Sequence, residues 1–289
     1  MAATRLEEKL ADDCGYFFTG DILLDSGHTG FQSYEVFSTR AFGKLFRLDG
    51  CLMLHERDEY LYHENLVHLP GLAHGTPSSA LVIGGGDGGT AEELLKYPSM
   101  QKVVTVELDG KVIDIARQHF ASVHRGAFDD ARHELRVQDG LKFVREDAPA
   151  AKTSFDLICL DLTDPIGPSV ELYTEKYMRE CKAILAPGGA LSMHLGPVYF
   201  QPERVKGLFA SLRQVYRHVT PYAVYIPFYG SLWSFAVASD NLQPGQLSEA
   251  EINGRLAALK LPHLQFLTGA TYRAVQAIPP ALASLFPPS

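Results

Sequence analysis

Ala80-Leu81-Val82-Ile83-Gly84-Gly85-Gly86-Asp87-Gly88-Gly89-Thr90 is an apolar run that breaks into glycines and then into a helix start. Four apolar residues read as a buried strand, the glycines as a tight turn, and Thr90-Ala91-Glu92-Glu93 as a capping box opening a helix. Gly84, Gly85 and Gly86 allow positive φ and let a ligand approach where a Cβ would collide, so the stretch reads as a nucleotide-binding turn. Glycine-rich turns also serve plain strand-to-helix packing, so the rest of the chain must decide.

Working outward, residues 71–289 alternate strands and helices. Strand 80–83 leads to helix 90–97, strand 103–108 to helix 110–121, and strand 134–138 to a short helix at 141–146. Strand 155–161 leads through a loop to helix 171–185, and strand 190–195 to helix 201–215. That order predicts a parallel sheet with crossover helices. Two aromatic, apolar runs, Ala223 to Ile226 and Leu232 to Ala238, close the pattern as a near-hairpin, the ending of a Rossmann-like fold of the S-adenosylmethionine (AdoMet) methyltransferase type. Residues 1–70 instead show strands near Gly15–Leu24, Phe31–Ser38, Lys44–Leu48 and Cys51–His55, with an Asp49-Gly50 hairpin turn, and read as a small antiparallel β domain. A helix from Asp58 to Leu69, ending before Pro70, joins the two.

The chain has 289 residues and a formal charge of −8, which argues against a nucleic-acid partner and would attract a cationic small molecule. No apolar run reaches the roughly 18 residues of a membrane span, and the start lacks the apolar core of a signal peptide. Four separated cysteines without a CxxC pair suit free thiols in a reducing cytosol, with Cys51 and Cys159 expected to be buried. A soluble cytoplasmic protein is expected.

Ligands of open α/β sheets bind beyond the carboxyl ends of the strands, where this chain places acidic residues four times. Asp87 follows the first strand and Glu107 ends the second. Asp139 precedes Gly140, and Asp161 and Asp164 follow the fourth strand. Glu107 can accept hydrogen bonds from both ribose hydroxyls, which fits NAD and AdoMet alike. Asp87 inside the glycine turn would repel a pyrophosphate, so a dinucleotide is disfavoured. The same carboxylate suits a ligand that carries an ammonium and no carboxylate, and decarboxylated AdoMet is such a ligand.

With Leu48-Asp49-Gly50, Tyr62-His63-Glu64, Gly84-Gly85-Gly86-Asp87-Gly88, Val106-Glu107-Leu108-Asp109, Asp139-Gly140, Asp161-Leu162-Thr163-Asp164-Pro165-Ile166-Gly167-Pro168 and Ile226-Pro227-Phe228-Tyr229 in hand, the chain resembles the polyamine aminopropyltransferases, especially bacterial spermidine synthases. The resemblance implies transfer of the aminopropyl group of decarboxylated AdoMet to an amine, most simply putrescine, with no permanent cofactor, in a homodimer or homotetramer. It implies that Gln32, Glu107, Asp139, Gly140 and Pro168 hold the thioadenosine part, beside the glycine turn Gly84–Gly86, and that Asp87 binds the aminopropyl ammonium. Asp161 would be the general base, with Tyr62 beside it in the catalytic set. His63, Tyr62, Asp164 and Tyr229 would line the diamine channel, and the loop around 162–172 would close as a lid.

The chain departs from the family pattern at the amine side. Met53 and His194 stand where glutamines are usual, and the Ile226–Gly230 segment is one residue short. Met53 and Phe228 make the channel more apolar, so either a shifted acceptor preference or neutral drift on a putrescine enzyme fits. Two further readings stay open: an AdoMet-dependent amine N-methyltransferase on the same fold, and a catalytically silent polyamine-binding relative. His63 and His68 imitate a zinc helix, but a spacing of five puts them about 140° apart around the helix, so no metal site is expected.

Overall fold

The structure is a computed structural model that describes residues 3–165 and 167–287. Three sheets carry the architecture. Strands β1 (Thr4–Ala11) and β2 (Cys14–Gly20) form an antiparallel pair, and β3 (Ile22–His28), β4 (Ser33–Thr39), β5 (Gly43–Leu48) and β6 (Cys51–His55) form an antiparallel sheet in that order. The third sheet has seven strands: β7 (Ser79–Gly84), β8 (Lys102–Glu107), β9 (His133–Val137), β10 (Phe155–Asp161), β11 (Leu185–Pro197), β12 (His218–Ile226) and β13 (Ser231–Ser239). Its order is β12-β13-β11-β10-β7-β8-β9, parallel from β11 to β9, with β13 antiparallel to both its neighbours. This is the expected Rossmann-like sheet with its closing hairpin and an N-terminal antiparallel β region.

Strand alternation builds two cores. Ala80 and Val82 face one layer, with Leu157, Cys159 and Ala190, while Leu81 and Ile83 face the other, with Ile158, Leu160 and Leu191. Helix α1 (Tyr60–His74) fills the first layer and is buried from Tyr62 through Leu72. It runs straight through Pro70, where the sequence predicted an end. A proline inside a helix costs about 3 kcal/mol, and burial of Leu66, Val67, Leu69 and Leu72 outweighs that local penalty.

Other departures have local causes. Thr4–Ala11, in which only Leu6 is fully buried, was not read as a strand, because its charged residues hide the alternation. The Gly15–Leu24 run is split between β2 and β3, and residues 167–173 form a separate 3₁₀ turn ahead of the helix Glu175–Ala183. Helix α2 (Gly89–Leu95) starts earlier than expected, so Thr90 is not its cap. Gly88 is the N-cap, at φ 82°, and the Asp87 carboxylate accepts the Gly89 N–H at 2.7 Å. The helices Glu249–Leu259 and Gly269–Ala274 each open with a capping box, Ser248/Glu251 and Thr268/Thr271. All four cysteines are free; Cys159 and Cys181 are buried, but Cys51 is only partly so and faces the cleft described below.

Candidate active site

The carboxyl ends of β7, β8 and β10 converge because parallel strands in register end together. Asp161 pairs with Gly84, and the Gly85 N–H donates to the Asp161 carbonyl at 3.0 Å. At Gly84, φ is +81° and a Cβ would sit on the Asp161 carbonyl oxygen, so the glycine is required by the close approach of the two strand ends. Above this crossing lies a cleft of about 870 Å³, walled on one side by β5 and β6 and on the other by the strand ends. Gln32, Gly84, Gly85, Gly86, Asp87, Glu107, Asp139, Gly140, Asp161, Asp164, Tyr62, His63 and Tyr229 all face it. The site residues expected from the sequence are thus brought together, except Pro168, whose side chain lies outside the described residues.

At the nucleoside end, Gln32 Nε2 donates to Asp109 Oδ2 at 3.3 Å, and Glu107 Oε1 accepts the Asp109 N–H at 2.8 Å. Burial raises Glu107 to about 7, against the pull of the Asp109 amide. Asp139 caps the next helical turn, accepting the Leu141 N–H at 2.8 Å, and Gly140 packs where a Cβ would press on Ile83. Carboxylate acceptors at the edge of a cleft with apolar walls can take ribose hydroxyls and a heterocycle.

The reacting end is a compact set of alternating charges. His63, from α1, places Nδ1 2.7 Å from Glu59 Oε2 and Nε2 3.6 Å from Asp87 Oδ1. Burial alone would lower the imidazole pKa, but Asp87 and Glu59 outweigh it and hold His63 well above its ordinary value. Asp87 is held low: burial opposes ionisation, and the His63 imidazolium and the Gly89 amide overcome it. Asp161 is pushed up to about 6 by burial and by the nearby Asp87 charge; His63 and the Thr90 hydroxyl restrain it. Thr90 Oγ1 donates to Asp161 Oδ2 at 2.8 Å, which is what this residue does instead of capping α2. Tyr62 lies close by and is buried, without a well-formed hydrogen bond to its hydroxyl.

His63, Asp87 and Asp161 offer ligand atoms within 4.8 Å of one another. Within this set the His63 imidazole is flanked by Glu59 on one nitrogen and by Asp87 on the other. The zinc-helix reading fails in space too: His68 turns away to Glu93 at 2.9 Å and Tyr97 at 3.1 Å.

The part of the cleft around Tyr229 and Trp233 is aromatic. Tyr229 packs against Trp233, ring centroids 4.7 Å apart, and its hydroxyl donates to the Met53 carbonyl at 3.1 Å. Phe228 is fixed by stacking on His55 at 5.1 Å and by Asp58, which accepts the Phe228 N–H at 2.8 Å. His194 lies against Trp233 at 5.8 Å; burial, with the nearby Arg204 charge, lowers it to about 4, so it is neutral at pH 7. Glu59, Thr90, Trp233 and Arg204 were not singled out as site residues from the sequence. Glu59 had a legible signal, one helical turn before His63; Arg204 had none, because it reaches the site from a helix whose sequence reads as ordinary amphipathic packing.

The model of the spermine/spermidine synthase domain family matches residues 59–247. The chain is 46% identical over 286 residues to a polyamine aminopropyltransferase of Nitrosomonas europaea, covering 99% of this chain and 86% of that protein. It is 36% identical over 273 residues to a polyamine aminopropyltransferase of Klebsiella pneumoniae, covering 94% of each. Among solved structures, a spermidine synthase in complex with the transition state analogue AdoDATO superposes with a TM-score of 0.89 at 29% identity, over 98% of this chain and 94% of that one. The spermidine synthase of Thermotoga maritima superposes with a TM-score of 0.86 at 27% identity, over the same shares. The chain belongs to the spermine/spermidine synthase family. It is an enzyme of the aminopropyltransferase class, and no helix among its described residues is long and apolar enough to cross a membrane.

Proposed function

We propose that the protein transfers the aminopropyl group of decarboxylated AdoMet to a di- or polyamine, with putrescine as the first candidate, and releases 5'-methylthioadenosine. The observation that carries this reading is the pairing of Asp87 and Asp161 around a protonated His63 at the mouth of the glycine turn. That set offers two anionic positions, one for the donor's ammonium and one for the acceptor's. A carboxylate-bearing donor such as AdoMet would meet Asp87 with like charge, which weighs against methyl transfer.

The chemistry needs no covalent intermediate. Asp87 holds the aminopropyl ammonium, and Glu107, Gln32, Asp139, Gly140, Pro168 and the turn Gly84–Gly86 receive the thioadenosine. Asp161 binds the acceptor ammonium and takes its proton. The freed nitrogen attacks the methylene beside the sulfonium; the C–N bond forms, the C–S bond breaks, and its electron pair neutralises the sulfur. Tyr62, His63, Asp164 and Tyr229 align the amine chain, so most of the rate enhancement is orientation plus one base. The reading extends to a cytoplasmic homodimer or homotetramer, for which half-exposed Ile22, Leu23 and Leu24 on β3 supply an apolar face.

The test is release of methylthioadenosine by the purified protein from decarboxylated AdoMet with putrescine, cadaverine, agmatine or spermidine, and with AdoMet in parallel. Release with at least one amine is expected. Turnover only with AdoMet, giving a methylated amine, would favour the methyltransferase; silence with both donors would favour a binding protein.

The pH profile is a second check. A base must be ionised to work, and Asp161 stands at about 6. At saturating donor, which occupies Glu107, kcat/KM for the amine should be level just above neutrality and fall about tenfold per pH unit below about 6. A profile still flat at pH 5 would remove Asp161 as the base.

A further inference from the structure

Asp164 faces the cleft with an arginine already beside it. Arg204, on the helix Pro202–Val215, places Nη1 3.0 Å from Asp164 Oδ1 and donates from the same nitrogen to Gln201 Oε1 at 2.7 Å. The guanidinium is fixed from behind. Its centre lies 5.6 Å from the Tyr173 ring, and a Cβ at Gly196 would reach within 3.4 Å of it. Its Nε and Nη2 are buried without a well-formed hydrogen bond among the described residues, so Asp164, Gln201 and the Tyr173 ring carry most of what offsets the burial of this cation. The neighbouring His194 is neutral and adds no charge.

Resting on the aminopropyl-transfer reading above, we propose that Arg204 sets acceptor specificity by cancelling the attraction of Asp164 for the acceptor's second ammonium. A carboxylate compensated by a fixed guanidinium presents a dipole to the cleft, not a net charge. An incoming distal ammonium must share Asp164 with a cation that Gln201 and the Tyr173 ring hold in place. The acceptor is therefore chosen by its reacting nitrogen, held at Asp161, and by the fit of its carbon chain along Tyr62, Trp233 and Tyr229. Amines lacking a second charge at that distance are tolerated. This also gives the departures at Met53 and Phe228 a common sense, since an apolar wall suits an acceptor recognised by its methylenes.

The experiment compares kcat/KM for putrescine with that for n-butylamine, which keeps the carbon chain and drops the second ammonium, by methylthioadenosine release from decarboxylated AdoMet. In the unaltered protein the two values should lie within about tenfold. Arg204→Met should raise the putrescine-to-butylamine ratio about tenfold or more, through a lower KM for putrescine, and Arg204→Lys should keep it low. Asp164→Asn should change the ratio little in the unaltered protein and abolish the gain in the Arg204→Met background. A ratio unmoved by Arg204→Met, or one that Asp164→Asn collapses in the unaltered protein, overturns the inference. Methylthioadenosine release from no amine by any of these proteins would instead overturn the aminopropyl-transfer reading and this inference with it.

Discussion

Asp161→Asn should lower kcat by about 10³- to 10⁴-fold while leaving donor affinity within a few fold. In the proposed mechanism the carboxylate has two jobs that an amide cannot do: it compensates the acceptor ammonium, and it accepts a proton. The substitution is nearly isosteric and the amide oxygen can still accept from Thr90, so the strand crossing at Gly84 and Gly85 should persist. The loss is larger than at a solvated carboxylate, because bound donor and acceptor leave no room for water as a substitute base. Steady-state kinetics, with donor affinity measured by calorimetry, separates these effects. A variant retaining more than about a tenth of the rate would mean that the amine arrives already neutral and that Asp161 only orients it.

The second large effect is expected at Asp87. Asp87→Asn should cut kcat/KM for decarboxylated AdoMet by about 10²- to 10³-fold, mainly through KM, and should weaken the discrimination against AdoMet itself. Two consequences combine. The donor ammonium loses its counter-ion, and His63 loses one of the two carboxylates that keep it protonated. The Gly89 N–H still finds an acceptor in the amide oxygen, so the start of α2 should survive. Competition by AdoMet for the donor site, measured in both proteins, is the direct readout. An unchanged AdoMet inhibition constant would show that Asp87 does not read the donor's carboxylate.

The sheet was legible because its strands are buried on both faces and read as short apolar runs bounded by glycine, while their acidic ends announce a site. Asp87, Glu107, Asp139 and Asp161 could be named from position alone, since in-register parallel strands bring their ends together. What the sequence concealed depends on tertiary partners. Thr90 looks like a cap and is a donor to Asp161; Pro70 looks like a stop and is overridden by burial. Arg204 lies 40 positions beyond Asp164 on an amphipathic helix, and no periodicity links the two. The strand Thr4–Ala11 was hidden for the opposite reason: it buries too little apolar surface to leave a pattern.

Helix α1 carries Tyr62 and His63, and between them and the next turn stands Glu64, fully buried, whose carboxylate accepts the backbone N–H groups of Gln265 at 2.6 Å, Phe266 at 3.1 Å and Leu267 at 2.9 Å. Two segments of the chain, 201 residues apart, are thus closed on one another by a single side chain. During synthesis that ring cannot close until residue 267 has left the ribosome. Until then Glu64 would face either water or an unpaired burial, so the helix presenting Tyr62 and His63 lacks one of the contacts that seat it. The seat of the helix that carries Tyr62 and His63 therefore rests in part on a contact of long sequence separation, which forms only after the glycine turn at Gly84–Gly86 is available.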